Sequence, residues 1–212
     1  MSGTEDGNAA YSKIIPDSFV YSDYHPDVID NVMERQKQMQ LRKVANSGMF
    51  IVLDDLGFDA KILKEKSMRY LFMNGRHLNI FLCMTFQYVK DMPPAIRSNI
   101  DYVFINKDNS KENIEKLYSC FGGFFPNIDT FRHVMDNCTE NYECMVIDNT
   151  SNSKHIEDNV FWYKAHFPTP KFRMGSPEFW ALHNKKYNKD YGMKRKTVVT
   201  KTKSQFKVKK LR

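Results

Sequence analysis

Four short stretches of this sequence are apolar almost from end to end: GMFIVLD (48–54), LNIFLCMTF (78–86), DYVFIN (101–106) and YECMVID (142–148). Each has the length of a strand. A strand that is apolar on both faces has to be covered on both faces, so these runs belong to the middle layer of a sandwich rather than to a sheet with one wet side. Between them lie stretches with helical spacing. Pro26 opens a helix to about residue 43 on Val28, Ile29, Val32, Met33 and Met39, with a Gln/Lys-rich outer face expected in solvent and a basic end at Lys37, Arg42 and Lys43. Asp59 caps a helix that buries Ile62, Leu63, Leu71 and Phe72 and is closed by Gly75. Ser110 caps a third, another runs over 128–137, and SPEFWALHNKKY reads as a short last helix.

Strands alternating with helices predict an α/β fold, a three-layer sandwich around a mostly parallel sheet. SFVYSD (18–23) reads as a short additional strand and NVFWYKA (159–165) as an antiparallel edge strand. DMPPAIRSN cannot extend the second apolar strand, because adjacent prolines break the ladder. In parallel sheets chemistry collects at the carboxyl ends of the strands. That rule puts Asp54, Asp55, Gln87 and the Asn106–Asn109 stretch on one functional edge.

With 42% hydrophobic and 14% aromatic residues among 212, the chain can build a core. No window approaches the roughly 18 apolar residues of a bilayer span, and the start, MSGTEDGNAAYSK, is not a signal peptide. A soluble protein that is neither secreted nor inserted in a membrane is expected. Cys83, Cys120, Cys138 and Cys144 form no CxxC pair, and the histidines have no ligand spacing, which argues against structural zinc. The net charge of +7 is unevenly held. Residues 185–212 carry twelve Lys/Arg against one acid, and the preceding 184 residues sum to −4. Such a basic end is either a solubilising tail or a contact to nucleic-acid phosphates, with Lys194, Arg195, Lys196, Lys209 and Lys210 the candidates.

Two adjacent carboxylates repel each other unless a positive charge sits beside them. In nucleotide-hydrolysing proteins an apolar strand ends in an acid that holds magnesium, and a second acid directly after it polarises the attacking water. Asp54 and Asp55 have this order, and Gln87 stands at the tip of the next strand, where a polar residue senses the γ-phosphate. Arg76 and Arg97 are the arginines available to stabilise the transferring phosphoryl group. An apolar run ending in two aspartates also occurs as a simple strand end with a capping turn. No G-x-x-x-x-G-K-[ST] pattern, the loop that cradles phosphates, is found in these 212 residues.

The strings MSGTEDGN, IPDSFVY, IVLDDLGFD, FMNGRHLNIFLCMTFQY, MPPAIRSNIDYVF, CTENYECMVIDNT and FWYKA occur in that order over residues 1–184. Together they resemble the DNA-packaging ATPases of the nucleocytoplasmic large DNA viruses, a branch of the FtsK–HerA group of P-loop motors. The resemblance implies a RecA-like P-loop fold, with Asp54 as the Walker B magnesium ligand, Asp55 as the water-activating acid and Gln87 as the sensor. It places Arg76, with Arg97 as second choice, as an arginine finger acting on a neighbouring subunit. It further implies ATP and Mg²⁺ as cofactors and a homo-oligomeric ring on double-stranded viral DNA. Capsid or inner-membrane virion proteins are the implied partners, in the cytoplasm of an infected cell or in the virion.

The family places a first strand, the phosphate loop and a helix upstream of a segment like MSGTEDGN. Residues 1–184 are therefore expected to be the later part of an ATPase domain without its first strand and loop, and 185–212 a basic tail. Two other readings remain open. One is a non-catalytic DNA-binding or virion-assembly protein derived from the ATPase. The other is a metal-dependent nuclease using Asp54, Asp55 and Asp59.

Overall fold

The computed structural model describes residues 1–3, 10–55, 61–89 and 92–188. Met1–Gly175 belong to one compact unit, and a second begins at Ser176. In the first, helix α1 (Pro26–Leu41) leads to strand β1 (Met49–Leu53), then helix α2 (Lys66–Asn74) to strand β2 (Ile80–Met84). A one-turn helix α3 (Pro94–Arg97) precedes β3 (Tyr102–Ile105). Helices α4 (Lys111–Phe121) and α5 (Ile128–Cys138) follow, then β4 (Glu143–Asp148) and β5 (Val160–Lys164). Helix α6 (Pro177–Lys186) lies in the second unit.

The elements form for the reasons their residues supply. Pro26 occupies the first turn of α1. The Ser110 side chain accepts the Asn113 amide at the start of α4, and Asn127 accepts that of Thr130 at the start of α5. Gly75 ends α2 with ordinary helical dihedrals, so it is not needed for a left-handed turn. It is needed for space: a Cβ there would stand 2.6 Å from the Leu71 carbonyl oxygen. The left-handed residue that turns the chain into β2 is Asn79, at φ 56°.

The layering is α/β, with β1 and β2 parallel and in register from Met49↔Ile80 to Leu53↔Met84. Met1–Gly3 extend this sheet along the other edge of β1: the Met1 ammonium donates to the Val52 carbonyl at 2.8 Å, and the Asp54 amide to that of Met1 at 2.8 Å. The expectation of a mostly parallel sheet is corrected at β4. Strands β3, β4 and β5 form an antiparallel ladder. One helix between two strands brings the chain back to run parallel. Two helices, α4 and α5, stand between β3 and β4, so the chain re-enters from the end it left and β4 must run the other way.

One further expectation changes. SFVYSD is no strand: Asp17–Phe19 make a 3₁₀ turn after Pro16, as Pro-Asp-Ser favours, and Tyr21 accepts the Ser2 amide through its carbonyl. On the outer face of α1 Gln38 and Gln40 are exposed, whereas Gln36 shares the inner face with Ile29 and Met33. Gln36 is fully buried, and its Nε2 donates to the Ser47 and Leu78 carbonyls at 2.8 and 2.9 Å. It satisfies the backbone where the chain enters β1 and β2, as a buried amide must. Asp59, expected to cap α2, lies outside the described residues.

Helices α1 and α2 cover one face of β1 and β2, with Ile29, Met33, Leu53, Met68, Leu71 and Ile80 buried between them. Helices α4 and α5 cover one face of the antiparallel sheet over Ile105, Ile114, Leu117, Phe131, Met135, Met145 and Ile147. Phe121 packs against both groups.

Candidate nucleotide-handling edge

β1 and β2 end side by side, and the ladder continues one step as the Thr85 amide donates to the Leu53 carbonyl at 3.0 Å. This register delivers Asp54, Asp55, Thr85 and Gln87 to one edge. Thr85 Oγ1 donates to Asp54 Oδ1 at 2.7 Å and accepts the Asp55 amide at 3.0 Å. Ser2 Oγ donates to the other Asp54 oxygen, Oδ2, at 3.0 Å. Gln87 Nε2 donates to Asp55 Oδ2 at 2.9 Å. Asp55 itself sits at φ 53°, a left-handed conformation that aspartate tolerates better than most residues and that often marks a functional turn. It turns the second carboxylate off the strand line and onto Gln87.

The arrangement separates the two acids chemically. Asp54 is oriented from both sides by the hydroxyls of Thr85 and Ser2, so the side chains bonded to it bring oxygen. Magnesium prefers such hard ligands, taking one or two carboxylates and leaving its other positions to water and phosphate oxygens. The residues present therefore fit a magnesium ion held by Asp54. Among the described residues no group of three His, Cys, Asp or Glu could enclose a metal. Asp59, which the nuclease reading needs as a third acid, lies outside the described residues. Below the edge, burial and then the charge of Asp54 push the Cys83 thiol above its ordinary pKa.

The two arginines lie elsewhere. Arg76 precedes β2, at the amino ends of the strands, and pairs with Asp101 at the entry to β3. Along β2 that is roughly 16 Å from the Asp54 edge at the usual strand rise. Arg97, at the end of α3, lines the same cleft of about 620 Å³ with Arg76, Ser98, Asp101 and Asn149. The structure thus groups the arginines with each other and the acids with Gln87. The Asn106–Asn109 stretch reaches the edge only indirectly: Asp108 accepts a hydrogen bond from Asn113, whose Oδ1 accepts the Val89 amide at 3.1 Å. Lys194, Arg195, Lys196, Lys209 and Lys210 lie outside the described residues.

Thr85 and Ser2 were not foreseen as site residues. Thr85 had a signal, standing two before Gln87 and so on the same side of an extended chain. Ser2 had none, since it meets Asp54 across 52 positions of sequence.

The family described as Poxvirus A32 protein matches residues 18–156. The chain belongs to this family. Its poxvirus A32-type relatives include an uncharacterized protein of Acanthamoeba polyphaga mimivirus, 34% identical over 201 residues, covering 91% of this chain and 70% of that protein. An uncharacterized protein of Frog virus 3 is 37% identical over 166 residues, and there the match spans 78% of this chain but only 51% of the relative. One of Invertebrate iridescent virus 6 is 32% identical over 193 residues, 90% of this chain and 75% of its own length. Among solved structures, the chain is similar to the genome packaging NTPase B204 from Sulfolobus turreted icosahedral virus 2, in complex with ATP-γS. That likeness has a TM-score of 0.47 and 13% identity, covering 74% of this chain and 77% of the other. No described helix is long and apolar enough to cross a membrane.

Proposed function

We propose that this A32-family chain serves in a viral genome-packaging ATPase, which couples ATP hydrolysis to movement of double-stranded DNA into a capsid. The observation that carries the reading is the bonded set Asp54–Thr85–Asp55–Gln87 at the shared tip of two parallel strands. Magnesium, when bound with ATP, neutralises charge on the β- and γ-phosphates. Asp54, held by Thr85 and Ser2, presents its carboxylate to that ion or its water shell. Asp55 accepts a proton from, and orients, the attacking water. Gln87 fixes the Asp55 carboxylate through one oxygen and leaves its own carbonyl free to turn toward the γ-phosphate.

Arg76 and Arg97 stand too far from this edge to act on the same nucleotide. In a ring they face the next subunit, so the reading needs a homo-oligomer whose arginine cleft meets a neighbour's acids. The phosphate-binding loop is a separate requirement. The basic residues 194–196 and 209–210 are assigned to the DNA backbone in the same reading, and the place of action is the infected cell or the virion.

The test is magnesium-dependent ATP hydrolysis by a form of the protein that includes a phosphate-binding loop. Asp54→Asn should remove the magnesium dependence of ATP binding and with it turnover. Binding that keeps its magnesium dependence would take Asp54 out of this role and leave the non-catalytic assembly protein as the better account.

A further inference from the structure

Gln87 stands where the chain crosses from one core to the other. Met84 and Phe86, just before it, pack on the core that α1 and α2 form with β1 and β2. Val89, two residues after it, packs on the core beneath α4 and α5. Gln87 and Tyr88, between these anchors, are exposed. The place of the Gln87 side chain is thus set by the two anchors and by its bond to Asp55.

The second anchor has a polar half. The Val89 amide donates to Asn113 Oδ1 at 3.1 Å, and Asn113 Nδ2 donates to Asp108. The other Asp108 oxygen accepts the Ser110 amide at 2.7 Å. Asn113 is only 8% exposed, so both ends of its side chain need partners. Its orientation follows from them, because a backbone amide can only donate and a carboxylate can only accept. Leucine, of similar size, would leave the Val89 amide with no acceptor, and aspartate would set a second carboxylate against Asp108. The start of α4 does not require asparagine here, since Ser110 already caps it and asparagine is a poor residue within a helix. What the Asn113 side chain serves is the segment after Gln87.

We propose that Asn113, aligned by Asp108, is a positioning residue for Gln87. Held at Val89, the crossing segment cannot slide along α4, and the Gln87 amide meets Asp55 at one place. Asn113 acts through Val89 and not on the acids directly. It also couples the second core to the acid edge, since a shift of α4 against β1 and β2 would draw Gln87 off Asp55. The effect on catalysis rests on the proposed function, in which Gln87 faces the γ-phosphate; the positioning itself does not.

The positioning is read on the full 212-residue chain without nucleotide, by exchange of the Val89 amide and by the Gln87 side-chain amide resonance in NMR. Asn113→Asp should speed Val89 exchange about fivefold or more, as loss of a hydrogen bond implies, and shift the Gln87 resonance. Adding Asp108→Asn puts a donor opposite the new carboxylate, so the double variant should return both readouts toward wild type. Asp108→Ala, at a less buried position, should move both in the same direction by less. Unchanged Val89 exchange in both single variants would overturn the proposal, as would a Gln87 resonance that stays in place when Val89 is released. A double variant no better than Asn113→Asp would overturn it too, because disturbed packing and not the lost bond would then be the cause.

Turnover tests the consequence, in a form of the protein that includes a phosphate-binding loop. Asn113→Asp should lower kcat about 10- to 100-fold, since a misplacement of about 1 Å reaches the upper figure, with KM for magnesium-ATP within about twofold. The Asp108→Asn pair should recover most of the loss, and in a Gln87→Ala background Asn113→Asp should add none. A loss that persists undiminished in that background would make Asn113 a stability residue and overturn the positioning. Full turnover in Gln87→Ala alone would instead refute the role of Gln87 in the proposed function, while the NMR readouts still decide the positioning.

Discussion

Gln87 donates Nε2 to Asp55 Oδ2 at 2.9 Å, across 32 positions of sequence, and so locks the second of two adjacent acids toward the neighbouring strand tip. The bond divides the labour at this edge. Asp54 is turned into its hydroxyl clamp, while Asp55 is turned away from it.

Thr85 is the hinge of that division, donating to Asp54 and accepting from the Asp55 backbone. Thr85→Val keeps the shape and removes both bonds. Thermal or denaturant unfolding should register a loss of about 1 kcal/mol, the net worth of a hydrogen bond. Magnesium-ATP affinity in the complete enzyme should fall with it, because Asp54 loses its orientation. An affinity unchanged beyond error would make the threonine a packing residue only.

Much of this edge was legible in the sequence, for a physical reason. Apolar runs announce strands, the residue after each run stands at a strand tip, and consecutive parallel strands bring their tips together. Asp54, Asp55 and Gln87 follow from that logic. The direction of β4 does not, because apolar pattern gives strand and face but no sense of direction. The two-helix return through α4 and α5 decides it. Gln36 was not singled out, although its spacing from Ile29 and Met33 puts it on the buried face of α1; the spacing does not give the two backbone carbonyls it bonds. Arg76 and Arg97 were named as residues, but their joint cleft at the far end of the strands required the chain path through α3.

That cleft makes a mixing prediction. Arg76→Ala and Asp55→Asn should each lack turnover in a complete enzyme, the arginine change costing about 10³-fold or more as arginine fingers do. Mixed in one oligomer, they should recover part of the activity, since some interfaces pair an intact arginine with intact acids. A mixture as inactive as its components would place Arg76 in a structural pair with Asp101 alone.

Cys83 reports on the electrostatics beneath the edge. Burial, and after it Asp54, raise its pKa, so the neutral thiol is the favoured form. This contribution to stability is full below the ordinary thiol range and fades as pH rises through the raised value. Peptide-resolved alkylation at pH 8 should be slower at Cys83 than for a free thiol. Asp54→Asn should speed it severalfold by removing the negative neighbour. Equal rates in the two proteins would mean that burial alone sets the thiol.

Asp55→Asn offers the most direct measurement of the central claim. The substitution keeps size and the left-handed turn that asparagine also accepts, and deletes only the charge that orients water. In a form of the protein with its phosphate-binding loop, magnesium-ATP binding should stay within a few-fold of wild type while turnover falls by about 10²-fold or more, the range for a lost general base. Turnover retained alongside binding would contradict the account.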